Sequence, residues 1–169
     1  MLCIDRAFQA ASEGGHFQVV ERLLEAGADV NTAAAESGGR TALQAASEGG
    51  YILVVERLLE AGADVNAAAA RSGGRTALQA ASGRGHIQVI ERLLEAGADV
   101  NAAAAESGGR TALQAASEGG YILVVERLLE AGADVNTAAA RSGDGQRSSG
   151  IRTRSYPSYR ATSRGWSQC

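Results

Sequence analysis

Apolar residues recur at helical spacing along most of the chain. In residues 40–66, RTALQAASEGGYILVVERLLEAGADVN, the two valines and two leucines of VVERLL lie three or four positions apart. This spacing places them in one stripe and predicts an amphipathic helix from about Ile52 to Ala61. The preceding ALQAASE consists of good helix formers and predicts a shorter first helix.

Residues with special backbone roles mark the ends of both predicted helices. Thr41 followed by Gln44 fits the capping box, in which each side chain accepts a hydrogen bond from the backbone N–H of the other residue. Gly49, Gly50 and Gly62 stand where left-handed turns commonly end helices. Because isolated helices of this length are marginal in water, each pair must pack against its neighbours.

The same unit occurs four times with a period of 35 residues. The string ERLLEAGADVN recurs at this spacing, and residues 33–66 are identical to residues 103–136. Helix pairs repeated in this way stack into a solenoid held by nearest-neighbour contacts. The predicted fold class is therefore all-α, a solenoid of four helix-turn-helix repeats with projecting finger loops over residues 1–140. The expected units are about 5–35, 36–70, 71–105 and 106–140.

The unit resembles the ankyrin repeat, with its capped first helix, glycine turn, second helix carrying VVxxLL, and closing GADVN. The resemblance covers roughly residues 5–140. The first helix opens TALQ where the family usually has TPLH, so a capping box replaces the bond from the family's histidine and the rigid proline is lost. The period also exceeds the family's usual value of about 33. This longer variety is similar to arrays in large multidomain intracellular receptors of filamentous fungi.

Candidates for catalysis are few. The chain has no lysine and only two histidines, His16 and His86. Tyr51 and Tyr121 replace them in the other units, so we expect each histidine to bond to an inter-helix turn. Paired glutamates recur in every unit, which indicates a solvated face, and each GADVN aspartate is expected to make a loop hydrogen bond. The glycine pairs before the first helices lack a phosphate-binding motif. We expect no enzyme, no cofactor and no metal site.

The resemblance implies a non-enzymatic scaffold that binds another protein through its finger loops and the concave face of its first helices. The residues expected to contact the partner are Arg40, Gln44, Glu48, Arg71, Arg75, Gln79, Arg84, Arg110, Gln114 and Glu118. These positions vary little between units, which leaves open a truncated product with no selected partner. A fragment of a larger intracellular receptor is another interpretation. Without an apolar run of membrane-spanning length or a signal peptide, an intracellular, cytoplasmic location is expected.

The C-terminal segment differs from the array in charge. Residues 141–169 hold six arginines and one aspartate, and they predict a disordered tail. Arginines interspersed with aromatic residues favour an alternative function, the binding of single-stranded nucleic acid. A frameshifted fifth repeat is the preferred interpretation. A one-base shift of back-translated Gly150–Cys169 allows ASERGHIQVIERLLEAGANV, which matches residues 81–100 at eighteen of twenty positions. Nucleic-acid binding is then not expected.

The fourth unit is not built as a terminal cap. Terminal repeats normally carry a polar outer face, but this unit keeps the VVERLL stripe of the internal units. We therefore expect the fourth unit to fray first, or the array to self-associate through it.

Overall fold

The computed structural model describes residues 3–32, 40–68, 74–103 and 109–136. Within these ranges it contains four helix pairs, numbered here as repeats 1 to 4. The helices are α1 Cys3–Glu13, α2 Phe17–Glu25, α3 Ala42–Gly49, α4 Ile52–Glu60, α5 Ala77–Ser82, α6 Ile87–Glu95, α7 Ala112–Gly119 and α8 Ile122–Glu130. For the described part of the chain, the predicted all-α solenoid is confirmed. The tips of the predicted fingers, the predicted unit boundaries and the tail lie outside the described residues, so the unit boundaries stay a prediction.

The repeats stack as two layers of helices. The first helices α1, α3, α5 and α7 form one layer, and the second helices α2, α4, α6 and α8 form the other. Buried alanines such as Ala46 and Ala81 allow close approach within the first layer. Leucines and β-branched residues fill the space between the layers, including Leu43, Leu58 and Leu93, all almost fully buried. Removal of this apolar surface from water is the main force that holds the stack together.

Threonine sets the start of the first helices in repeats 2 to 4. The Gln44 N–H donates to Thr41 Oγ1 at 3.2 Å, and the Thr41 N–H donates to Gln44 Oε1 at 3.0 Å. Thr76 and Thr111 close the same capping box. This confirms the predicted caps. In repeat 1 the corresponding residue is Arg6, which cannot accept such a bond. Helix α1 begins at Cys3, four residues before Ala7, the equivalent of the first residue of α3.

A ring from each following repeat packs on the glycine turn of the repeat before it. Gly50 adopts the left-handed conformation with φ 75°, and a Cβ added there would lie 2.6 Å from the imidazole ring of His86. His86 Nε2 also lies 3.1 Å from the Glu48 carbonyl oxygen, to which it can donate. The expected bond between this histidine and an inter-helix turn is therefore confirmed, and the turn belongs to the preceding repeat. Tyr51 packs in the same way on Gly15.

The GADVN segments form a hydrogen-bonded ladder along the array. Within repeat 2, the Asn66 backbone N–H donates to Asp64 Oδ1 at 2.9 Å, which confirms the expected aspartate loop bond. The Asn66 side chain then bridges to repeat 3. Its Nδ2 donates to the Gly97 carbonyl at 3.1 Å, and its Oδ1 accepts from the Asp99 N–H at 2.8 Å. The same pairing links repeats 1 to 2 and 3 to 4.

The two ends of the stack expose apolar side chains that internal repeats cover. Val19 in repeat 1 is 48% exposed, whereas its equivalents Val54, Val89 and Val124 are 1–2% exposed. At the other end, the open residues of repeat 4 are Ile122 at 71%, Leu129 at 44% and Val135 at 68% exposed. The predicted apolar C-terminal face is therefore present, although within the VVERLL stripe Val124 and Leu128 are buried.

We expect α8 to open more readily than α4. Both helices have the sequence ILVVERLLE, so their amides share the same intrinsic exchange rates. Only α4 is covered by a following repeat, and local opening is easier where fewer apolar contacts must be lost. Hydrogen exchange at a dilution where the chain is monomeric should show clearly lower protection in α8. Equal protection in the two helices would contradict this expectation.

Candidate functional site

A strip of charged side chains crosses the exposed side of the first helices. Three arginines of this group each directly precede an N-cap threonine, and a fourth follows the end of α5. The glutamates lie in the last turn of a first helix. Charged side chains of one repeat thereby meet those of the next. We call this group the charged strip. Its members are Glu13, Arg40, Glu48, Arg75, Arg84, Arg110 and Glu118.

Glu48 lies at the centre of the charged strip. Its carboxylate pairs with Arg40 of the same repeat. From repeat 3, Arg84 Nη2 approaches Glu48 Oε1 at 3.1 Å, and Arg75 Nη1 approaches it at 3.9 Å. Arg40 also reaches back to Glu13 of repeat 1, with an N–O distance of 3.2 Å. Ion pairs therefore link three successive repeats on this side of the array.

The arginines around Glu48 lower the pKa of its carboxyl group. Partial burial, with 19% of the side chain exposed, acts in the opposite direction and raises the pKa. The hydrogen bond from Arg84, the charge and hydrogen bond of Arg40, and the charge of Arg75 together outweigh burial. The pKa of Glu48 consequently lies below its usual value of 4.5, and the carboxylate is ionised at neutral pH.

Repeat 3 interrupts the charged strip. Gly83 stands where repeats 2 and 4 have Glu48 and Glu118, so repeat 3 offers no carboxylate at this position. A hollow of about 200 Å³ is lined by Arg75, Arg110, Gly83 and Glu118 among others. Arg110 pairs with Glu118 of its own repeat at 2.6 Å. The hollow therefore has two guanidinium groups and one carboxylate on its walls, a local excess of positive charge.

The repeat itself identifies the family. The family model described as ankyrin repeats (3 copies) matches residues 4–69 and, in a second match, residues 66–139. The chain belongs to the ankyrin repeat family. Ankyrin repeats generally mediate protein–protein interaction and are typically non-enzymatic. No curated protein matches the chain.

Most of the residues expected to bind a partner lie together in the ankyrin array. The structure gathers six of them into the charged strip, while Arg71 lies outside the described residues. The sequence interpretation missed Glu13. The 35-residue period could have identified it, because Glu13 lies one period before Glu48 and is its equivalent in repeat 1. The six residues are Arg40, Glu48, Arg75, Arg84, Arg110 and Glu118.

Two of the three glutamines expected to contact the partner are buried and do not lie on the exposed surface. Gln44 and Gln79 are each only 2% exposed. Gln44 Nε2 donates to the carbonyls of Ala67 and Ala68 at 3.1 and 3.3 Å, and Gln79 makes the equivalent pair of bonds in repeat 3. The side-chain amide of each glutamine therefore bonds to the N-cap threonine of its own helix and to the first carbonyls of the next finger loop. Gln114 is partly buried and also closes a capping box.

Among the described residues, no group of three or more His, Cys, Asp or Glu side chains is arranged to hold a metal ion. None of the helices in the described ranges is both long and apolar enough to cross a membrane.

Replacement of Glu48 by glutamine should make the array less stable near neutral pH but not in acid. A carboxyl whose pKa is lowered by folding adds stability above its unfolded pKa, and this stability is lost as pH falls through the folded pKa. We expect Glu48→Gln to lose about 1 kcal/mol at pH 7, and this difference from wild type should fade below about pH 4.5. Urea unfolding across this pH range measures it.

The control is Glu25→Gln, which removes only an exposed pair with Arg22 on the same helix. Its effect should be at most about 0.5 kcal/mol. A deficit in Glu48→Gln that stays constant from neutral pH to pH 3 would contradict the assignment of the stabilisation to the Glu48 charge.

Proposed function

We propose that this ankyrin array is a protein-binding scaffold whose charged strip binds an acidic segment of its partner. A partner carboxylate would occupy the hollow between Arg75 and Arg110. The observation that supports this proposal is Gly83, which leaves the strip without its own carboxylate in a hollow that Arg75 and Arg110 both line. Arginine is well suited to this role because its planar group binds a carboxylate through two parallel hydrogen bonds.

The length of the charged strip favours an extended segment over a single carboxylate. The strip begins at Glu13 in repeat 1 and ends at Glu118 in repeat 4, so a bound chain could follow it across all four repeats. Glu48 already neutralises part of the charge of three arginines. The preference for acidic over uncharged residues of the bound segment should therefore be greatest at the hollow. Binding should weaken with added salt because the charges are solvent-accessible.

Binding without catalysis is the second part of the proposal. The strip consists of arginines, which do not exchange protons near neutral pH, and glutamates in ion pairs with them. Glu48 has a lowered pKa, which makes its carboxylate a weak base. These groups are suited to recognition of charge and not to proton transfer.

Selection from a displayed random-peptide library tests the proposal with the full chain as bait. We expect enrichment of peptides rich in Asp and Glu. The double variant Arg75→Glu and Arg110→Glu should lose these peptides by at least tenfold, because it reverses the charge of the hollow. The control variant, Arg22→Glu and Arg92→Glu, reverses two arginines of the second helices and should retain them.

Two results would contradict the proposal. One is selection of peptides without acidic residues. The other is equal retention of acidic peptides by the hollow variant and the control variant, which would place the binding surface elsewhere on the array.

A further inference from the structure

The open C-terminal face of repeat 4 has a covered counterpart inside the same molecule. Residues 103–136 of repeat 4 and residues 33–66 of repeat 2 are identical. In repeat 2 this face is covered by repeat 3. The covered and the open face therefore have the same chemistry, and repeat 3 shows what kind of surface fits.

Three interactions define how repeat 3 covers repeat 2. The His86 ring packs on Gly50, and its Nε2 lies 3.1 Å from the Glu48 carbonyl. Asn66 donates to a glycine carbonyl at 3.1 Å and accepts from an aspartate N–H at 2.8 Å. Val89 of repeat 3 is buried in the same junction, at 1% exposure.

Repeat 1 carries the same set of groups on its open N-terminal side. Residues 9–31 and 79–101 differ at only four positions. The equivalents of the repeat-3 groups are His16 for the ring, Gly27 and Asp29 for the ladder, and the exposed Val19 for the buried valine. One molecule thus has a receiving face at repeat 4 and the matching face at repeat 1.

We propose that repeat 4 of one molecule stacks on repeat 1 of a second copy of this chain, head to tail. In this junction His16 packs on Gly120 of the neighbouring copy. Asn136 of that copy pairs with the Gly27 carbonyl and the Asp29 N–H. Because the two faces differ, the contact is heterologous, and it extends into a helical filament unless the rotation closes a ring.

The junction is weaker than an internal one. In repeat 3, Arg84 bonds to the Glu48 carboxylate, whereas repeat 1 has Gly14 at that position and cannot supply this bond to Glu118. The association is also between molecules, so it must overcome the loss of translational and rotational freedom. Assembly should therefore depend on concentration and be reversible.

Sedimentation analysis of the full chain with matched variants tests the proposal. Ile122 and Leu123 are neighbours of nearly equal exposure, 71% and 70%. Only position 122 lies at the repeat junction, because its equivalent Ile52 is partly buried while Leu53, the equivalent of Leu123, is 61% exposed. The mass of wild type and of Leu123→Arg should rise with concentration, and Ile122→Arg should stay at the monomer mass of 17.2 kDa.

A mixing experiment distinguishes head-to-tail stacking from a symmetric contact. Val19→Arg blocks the N-terminal face and should also be monomeric alone. Mixed with Ile122→Arg, it should form a one-to-one dimer of twice the monomer mass, because one intact pair of faces remains. Circular dichroism confirms that both variants are folded.

Several results would overturn the proposal. A wild-type chain that stays monomeric at high concentration would mean that the tail or another protein covers the face, or that nothing does. Dimerisation of Val19→Arg alone would indicate a symmetric contact between two C-terminal faces. A mixture of the two variants that remains monomeric would exclude the stated pairing.

Discussion

Replacement of Gly50 by alanine should destabilise the array by about 2–4 kcal/mol, whereas Gly120→Ala should cost only about 1 kcal/mol. The two glycines lie in identical local sequences and have similar left-handed φ angles, 75° and 71°. Alanine is strained at either position by the same amount. Only at Gly50 does the new Cβ also meet a ring, that of His86, at 2.6 Å.

The difference between the two variants therefore measures the ring contact between repeats. Thermal or urea unfolding of both variants at one dilute concentration provides it. Equal destabilisation of Gly50→Ala and Gly120→Ala would mean that the His86 ring moves aside without loss and that the ring contact adds little to the stack.

Replacement of Leu58 by alanine should destabilise the array by about 2–5 kcal/mol. Leu58 has no exposed surface and lies between the two helix layers in an internal repeat, so the truncation leaves a cavity. Because each repeat depends on its neighbours, a defect in repeat 2 also weakens the contacts of repeat 1 and repeat 3. Loss of cooperativity, visible as a broadened unfolding transition, should accompany the lower midpoint.

Leu53→Ala is the matched control, since Leu53 belongs to the same helix and is 61% exposed. Its truncation should change stability by no more than about 0.5 kcal/mol. Similar effects of the two truncations in urea unfolding would contradict the assignment of the core to the space between the helix layers.

The sequence predicts the elements of this fold well because local rules set their limits. The capping box at Thr41 and the left-handed Gly62 each depend on residues close in the chain, and both appear in the structure where the pattern predicts them. The ankyrin family follows from the period and the recurring motifs. The structure also shows one local difference that agrees with the sequence. Helix α5 ends at Ser82, where a Gly-Arg pair replaces the Glu-Gly pair of repeats 2 and 4.

Contacts between repeats are harder to predict, because they join residues far apart in the chain. Gln44 is recognisable as a capping residue, but its burial depends on carbonyls 23 and 24 residues further on. The bridge from Asn66 to the next repeat spans 31 and 33 residues. In the candidate site, the charged residues could be named from the sequence. The central position of Glu48 among the arginines, and the hollow beside Gly83, required the stacked geometry.

The hollow gives an array of near-identical repeats one chemically distinctive position. Repeats 2 and 4 have the same sequence over residues 33–66 and 103–136, so neither of them has a residue in this range that the other lacks. Repeat 3 has Gly83 where both of them have a glutamate, so the hollow between repeats 3 and 4 has one carboxylate beside two guanidinium groups. Arg84 is paired with Glu48 at the junction of repeats 2 and 3 and does not line this hollow.

The most direct test of the charged strip as the protein-binding surface is a titration of the isotopically labelled full chain with an acidic peptide from the library, followed by NMR. We expect the largest chemical-shift changes at the amides of Gly83, Ala115 and Gly119 and at the guanidinium groups of Arg75 and Arg110, and we expect these changes to diminish with added salt. Shifts centred on the second helices, or shifts that salt does not reduce, would contradict the charged strip as the protein-binding surface.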